Sequence, residues 1–382
     1  MEAKRTERFF LHEKAVLRWI EEPGVYHTGR DDLYELDDES FAFLEQCASP
    51  QGAPHERNEF IEYCLQEHIL DTRKSHCAHP PVMKAPAPSL RYLELQVTDR
   101  CNLKCRHCYI GGGGSHELSA GQVRSVLAEF EALQGLRVLI SGGEPLLHPG
   151  FGRINSFLPD FRVRKVLFTN GSLLTKEVLH GLNVDEIQIS MDGMEKGHDA
   201  LRGAGAFRRA MGALRLARDR GFDVSVATMV HSLNLGEFDE MERVFKDLGI
   251  RDWTVDVPCA AGTLKKNRDL QPGPEVAGKY LKYGFGEGPH GSEKGFGCGL
   301  HLVSVLADGR VAKCSFYADR ILGRIEDGLL SCRGRLKPVR LSDLSCDCDM
   351  IETCRGGCRF RAETLGNPLG KDLFKCHLYG IL

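Results

Sequence analysis

Residues 92–109 read YLELQVTDRCNLKCRHCY: a seven-residue apolar run, then three cysteines, Cys101, Cys105 and Cys108, in a C-x3-C-x2-C loop. The run has the length and composition of a buried strand. Five further short apolar runs follow at RVLISGG, KVLFTNG, EIQISMDG, DVSVATMV and DWTVDVP, with helical patterns between them. One helix is expected to start at Ser119, with Gln122 completing a capping box, and to run through Val123, Leu127 and Phe130. Others are expected near Thr175, Ala206 and Glu237. Six strand-helix alternations imply an α/β fold with a parallel sheet and right-handed crossovers, whose ligands bind at the carboxyl ends of the strands. The cysteine loop lies at such an end.

Outward from this core, the chain divides into segments. Residues 1–76 read as a small mixed domain, with a hairpin in VYHTGRDDLYELDD turning near Gly29 and helices over Asp38–Cys47 and Arg57–Leu70. Residues 77–89, CAHPPVMKAPAPS, are Pro-rich and predict an extended linker that separates this domain from the rest. The barrel-like segment spans 90–262, and residues 263–382 form a Gly-rich, Cys-rich stretch in which ligand bonds are expected to replace an apolar core.

Fifteen cysteines in 382 residues, an odd number, point to metal or redox chemistry rather than a disulfide framework. The start of the chain lacks the apolar stretch of a signal peptide, and no run approaches the length of a membrane span, so a cytoplasmic protein is expected. A formal charge of −3 offers no basic surplus for nucleic acid. A structural zinc site on the three-cysteine loop would need a fourth ligand, for which His107 and His116 are at hand. An iron–sulfur cubane held by three cysteines keeps one iron open, the position at which a substrate or cofactor coordinates.

The loop and its setting resemble the radical S-adenosylmethionine (SAM) enzymes, whose C-x3-C-x2-C motif follows the first strand of a partial (β/α)6 barrel. His107 occupies the usually aromatic position before the third cysteine. The stretch SGGEP, Ser141–Pro145, resembles the family's motif for the methionine amino group, so Gly142, Gly143 and Glu144 carry over. Thr169 and Asn170 end the third strand, and Ser190 and Asp192 the fourth. In related enzymes the strand-four serine and an arginine twelve residues on contact the cofactor; here these are Ser190 and Arg202. The resemblance implies S-adenosylmethionine and a four-iron cluster as cofactors, a 5′-deoxyadenosyl radical that abstracts hydrogen, and a flavodoxin- or ferredoxin-type electron donor.

Toward the carboxyl end, Cys298, Gly309 and Cys314, then Cys346, Cys348, Cys354, Cys358 and Cys376, resemble the seven-cysteine SPASM domain with its two auxiliary four-iron clusters, making three clusters in all. The chain departs from that pattern in having only Asp347 between Cys346 and Cys348. By analogy Cys298, Cys314 and Cys358 hold the inner cluster, and Cys346, Cys348, Cys354 and Cys376 the outer one. The inner set has three obvious ligands; Cys332 and Cys259 are both available as a fourth, and an open iron that binds a substrate thiolate is the third alternative.

More faintly, residues 1–76 resemble a winged-helix domain, related to a pyrroloquinoline quinone chaperone, that captures a precursor's leader peptide by strand addition. The expected activity is therefore crosslinking of a ribosomally made peptide. Two alternatives stand beside it: an anaerobic sulfatase-type formylglycine maturase, in which an aspartate follows the second auxiliary cysteine where this chain has Ser315, and an iron–sulfur electron-transfer scaffold.

Overall fold

The computed structural model describes residues 7–74, 79–111, 113–286, 288 and 295–382. The amino-terminal domain comprises strands β1 (Glu7–Leu11), β2 (Ala15–Trp19), β3 (Pro23–His27) and β4 (Asp32–Glu35), helix α1 (Asp38–Cys47), β5 (Ala53–His55), α2 (Glu59–Gln66) and β6 (Leu70–Asp71). They form two small antiparallel sheets, β5-β1-β6 and β2-β3-β4. Asp37 and Asn58 cap the two helices by accepting from Ser40 N and Ile61 N, which fixes where each begins. The expected hairpin around Gly29 is the β3–β4 pair, and α2 is shorter than the sequence pattern suggests. The strands β1, β2, β5 and β6 were not anticipated; β5 and β6 have only three and two residues.

The second body is built on six parallel strands: β7 (Tyr92–Thr98), β8 (Arg137–Gly142), β9 (Arg164–Thr169), β10 (Glu186–Ser190), β11 (Asp223–Met229) and β12 (Asp252–Asp256). They lie side by side in chain order, with helices α3 (Ala120–Ala132), α4 (Phe151–Phe157), α5 (Lys176–His180), α6 (Glu195–Arg202), α7 (Ala206–Asp219) and α8 (Phe238–Asp247) in the crossovers. Ser119 caps α3 and Gln122 returns the bond, as the sequence predicts. Every residue of β7 is buried, the mark of a parallel strand covered on both faces. Beyond β12 come α9 (Pro274–Ala277), β13 (Leu302–Val305), β14 (Arg310–Ala312), β15 (Ile321–Arg324) and helices α10 (Leu329–Gly334), α11 (Ile351–Cys354), α12 (Arg359–Thr364) and α13 (Leu373–Leu378). β13 adds to the free edge of β7 in parallel, so the Cys-rich segment extends the barrel sheet instead of standing apart.

The linker does not isolate the amino-terminal domain. Cys77 and Ala78 lie outside the described residues, but Lys84 bridges to Trp19, Ala85 N donates to Trp19 O, and Ser89 N donates to Glu21. The domain itself packs on the starts of the barrel strands through arginines. Arg18, fully buried, donates to the carbonyls of Gly135 and Arg162 at 3.1 and 2.6 Å. Arg164, also fully buried, donates to Thr28 O and Gly29 O and pairs with Glu186 and Asp223, each at 2.8 Å. Carbonyl oxygens of one domain thus satisfy guanidinium groups seated in the other. Among the described residues no helix is long and apolar enough to cross a membrane.

Replacing Arg164 by Ala leaves Glu186 and Asp223 without this guanidinium and frees two carbonyls. The expected cost in urea unfolding is about 3–5 kcal/mol, the range for breaking a buried ion pair by removing one partner. A loss below about 1 kcal/mol, the size of an exposed pair, would show that the domain contact does not depend on it.

Candidate active site

The carboxyl ends of the barrel strands surround a cavity of about 160 Å³. Its wall includes Cys101, Cys105, His107, Cys108, Gly142, Gly143, Thr169, Asn170, Ser190 and Arg202, ten of the twelve residues singled out around the first motif. The other two, Glu144 and Asp192, are fully buried and do not line it.

The three-cysteine loop is held from several strand ends. Gly143 N donates to Thr98 O at 2.9 Å and Glu144 N to Arg100 O at 2.8 Å, which staples the end of β8 to the entry of the loop. This approach requires glycine: a Cβ on Gly142, at φ +149°, would stand 2.2 Å from Thr98 O, and one on Gly143 2.3 Å from Arg100 O. Asn170 Nδ2 donates to Asn102 Oδ1, Asn102 Nδ2 to Ser172 Oγ, and Thr263 Oγ1 to the carbonyl of Cys105 at 3.0 Å.

Glu144 does not project into the cavity as its motif suggests. Thr169 Oγ1 and Asn170 N donate to its carboxylate at 2.9–3.0 Å, so it ties the end of β9 to that of β8. Burial pushes its pKa up to about 7 against the opposing pull of these donors and of Arg202. Asp192 likewise lies behind the wall. It accepts from Arg202 Nε and from Met229 N, and despite burial the Arg202 charge holds it well below the usual carboxylate range. Arg202 is thereby aimed at the cavity, with Nη1 at 4.0 Å from Cys105 Sγ. His107 stands 3.6 Å from Asp192, and burial lowers its pKa to about 4, so it is neutral near pH 7. Burial raises the Cys105 thiol to about 11, hence a metal that binds it must displace its proton.

The carboxyl-terminal cysteines fall into two groups. Cys346, Cys354 and Cys376 lie within electrostatic reach of one another, and Cys348 is beside Cys346. Cys298, Cys314 and Cys358 form the other group. Cys259 joins this second group, a placement the sequence left open, whereas Cys332 is buried in the core under β15. Among the described residues no three His, Cys, Asp or Glu side chains converge on a point as the ligands of a single metal ion do. A cubane places each thiolate on a different iron and does not ask for that convergence.

Sequence reasoning missed Glu94 and Tyr109. Glu94, on β7, accepts from Ser304 Oγ at 2.5 Å and from Tyr109 Oη at 3.3 Å, and Tyr109 lines the cavity. The available signal was the period of two in β7, where Glu94, Gln96 and Thr98 alternate with Leu93, Leu95 and Val97.

Comparison with known proteins agrees with this geometry. Residues 95–247 match the Radical SAM superfamily model. A mycofactocin maturase, MftC, of Mycolicibacterium smegmatis is 28% identical over 316 residues, covering 72% of this chain and 80% of the relative. An AdoMet-dependent heme synthase of Methanosarcina barkeri is 32% identical over 190 residues, 48% of this chain and 54% of the relative. For most of the curated relatives it matches, the chain spans about half of their length. Among solved structures, Streptococcus suis SuiB bound to its precursor peptide SuiA superposes with a TM-score of 0.67 at 12% identity, over 95% of this chain and 98% of that one. The peptide- and AdoMet-bound anSMEcpe gives 0.61 at 20% identity, over 77% and 95%. The strand ends that gather the three-cysteine loop, the glycine pair and Arg202 around one cavity thus lie in a segment, residues 95–247, that carries a Radical SAM domain.

Proposed function

We propose that the chain is a peptide maturase that cleaves S-adenosylmethionine reductively and takes hydrogen from a ribosomally made precursor so that a thioether or carbon–carbon crosslink forms. The observation that carries this reading is the single cavity shared by the three cysteines and the strand-end residues. Cys101, Cys105 and Cys108 would hold a four-iron cluster, and their residence on one short loop, thiols facing one cavity, fits that group. When bound, it supplies the electron that breaks the cofactor's carbon–sulfur bond.

The chain's own groups prepare the site. Gly142 and Gly143 let the backbone approach the cofactor's amino group, with Thr169 and Asn170 beside it. Arg202, oriented by Asp192, offers a guanidinium to the cofactor's carboxylate. Leu103, Tyr109, Ile110 and Phe168 supply apolar wall that excludes water from the reacting carbon. Cys298, Cys314 and Cys358 would hold one auxiliary cluster, and Cys346, Cys348, Cys354 and Cys376 another, as in a SPASM domain.

The amino-terminal domain fits capture of a leader peptide. β4 is the outer strand of its sheet and pairs only with β3 among the described residues. Beside it runs α2, whose Tyr63, 49% exposed, meets Tyr34 edge-on with ring centroids 6.2 Å apart. An added strand would find main-chain partners on β4 and aromatic surface on Tyr34 and Tyr63. Likeness to SuiB over 95% of the chain takes in this domain, which favours a peptide maturase over a formylglycine maturase; Ser315 in place of an aspartate points the same way. A flavodoxin- or ferredoxin-type protein is the proposed donor.

Anaerobically reconstituted protein is expected to carry about twelve irons as three four-iron clusters, and the Cys101, Cys105 and Cys108 triple alanine variant about eight. That variant should form no 5′-deoxyadenosine. Persistent cleavage of the cofactor by it would overturn the assignment.

Tyr63→Glu is expected to weaken precursor binding roughly tenfold or more, as loss of an interfacial tyrosine does. Formation of 5′-deoxyadenosine without peptide should stay at the wild-type rate. An unchanged affinity in a titration would place the leader elsewhere.

A further inference from the structure

We propose that Cys259 is the fourth protein ligand of the inner auxiliary cluster, joining Cys298, Cys314 and Cys358, so that no iron of that cluster is open to a substrate thiolate. This rests on the reading of those three cysteines as cluster ligands. It decides among the three alternatives that the sequence permits: Cys259, Cys332 or an open iron.

Cys259 lies three residues past the end of β12, on the cavity side of the barrel, and is 3% exposed. Its thiol is the electrostatic neighbour of that of Cys358, which leads α12. Cys358 in turn is grouped with Cys298, ahead of β13, and Cys314, just after β14. Cys358 is therefore the thiol that Cys259 shares with the Cys298 and Cys314 group.

A buried salt bridge fixes Cys259 beside Cys358. Arg361, 3% exposed, pairs through Nη1 with Asp256, the last residue of β12, and through Nη2 with Asp372 at 2.8 Å. Asp372 also accepts from Cys358 N at 2.8 Å. One guanidinium thus locks the strand end that leads to Cys259 against the helix start that carries Cys358. The two thiols are brought together by framework, not by surface chance.

Cys332 is held elsewhere. Its sulfur donates to the carbonyl of Arg324 on β15 at 3.3 Å, and the side chain packs in the barrel core beside Leu329. The charges around it are Asp327, Arg335 and Glu129, with none of the other cysteines among them. It is a buried small hydrophobe.

A four-iron cubane takes one outer ligand per iron, and a fourth thiol fills the set by giving up its proton as the Fe–S bond forms. Cys259 does this from within the chain. A crosslink made by this enzyme would then proceed without thiolate activation at that iron.

The test compares full-length wild type, Cys259→Ala, Cys259→Ser and Cys332→Ala, and a triple variant in which Cys298, Cys314 and Cys358 are Ala. All are reconstituted anaerobically with excess S-adenosylmethionine to cover the first cluster. Iron content and the EPR spectrum of the dithionite-reduced protein are read with and without added 2-mercaptoethanol. Wild type and Cys332→Ala should keep about twelve irons and spectra indifferent to the thiol. Both Cys259 variants should lose iron, or keep it with a spectrum that responds to the thiol through the exposed iron. Full iron and a thiol-indifferent spectrum in both Cys259 variants overturns the proposal, as does loss in Cys332→Ala or a thiol response in wild type. A Cys259–Cys358 disulfide in loaded protein, read by alkylation and mass, also overturns it. If the triple variant keeps all its iron, the underlying cluster reading fails; if it loses about four irons while Cys259→Ala loses none, only the present inference fails.

Discussion

A buried carboxylate, Glu144, holds the candidate site together. Its backbone nitrogen reaches the carbonyl of Arg100 at the mouth of the cysteine loop, while its side chain takes hydrogen bonds from Thr169 and Asn170. Three adjacent strand ends, those of β7, β8 and β9, meet at one residue. Burying a carboxylate is costly, and the cost is visible in a pKa raised to about 7. Thr169, Asn170 and Leu146 donors offset it. The cysteines are thus presented by a frame whose hydrogen bonds are all internal, independent of anything that later binds.

The opposite end of the barrel is closed by charge. Arg18, Arg137, Arg164 and Arg251, seated at or against the strand starts, reach across the boundary between the amino-terminal domain and the barrel. The leader surface proposed on β4 therefore belongs to a domain docked at the strand starts, while the cavity opens at the strand ends. A strand as long as β7, seven residues, spans roughly 23 Å at about 3.3 Å per residue. A precursor held at β4 must run along the outside of the barrel for at least about that distance before a residue enters the cavity. On that proposal, a minimum distance between the leader segment and the modified residue follows from the fold.

Much of this was legible in the sequence, and the reason is periodicity. The six barrel strands are short runs rich in apolar residues, and Ser119, Thr175 and Glu237 sit at the starts of helices α3, α5 and α8. Most of the residues singled out stand at or just past the end of such a run, whereas Arg202, which ends α6, came from the resemblance alone. What was hidden depends on pairing between distant segments. β13 is four residues long, and nothing in LVSV says that it will extend the sheet beside β7. The docking of the linker was hidden too, since prolines signal extension and not whether the extended chain lies against something. Cys259 and Cys332 were equivalent as letters; what separates them is tertiary, Arg361 bridging Asp256 and Asp372 across more than a hundred residues on one side and the bond of Cys332 to Arg324 O on the other.

The region between the two inner cysteine groups is aromatic. Tyr109, next to Cys108, lies with its ring 5.4 Å from Phe316, which is two residues past Cys314. Phe316 stacks on Phe360, two residues past Cys358, at 5.5 Å. Each cysteine group therefore carries its own aromatic neighbour, and the rings meet in a continuous wall. Such a wall gives a bound side chain apolar surface and keeps water from a reactive carbon. Beneath it Glu94 takes hydrogen bonds from Tyr109 and Ser304. The carboxylate anchors the tyrosine hydroxyl on the face of β7 that also carries Gln96 and Thr98, and so fixes the Tyr109 ring against Phe316. If clusters occupy both groups, the space for a substrate side chain is bounded by this wall on one side and the strand ends on the other, and its shape is set by Tyr109 and Phe316.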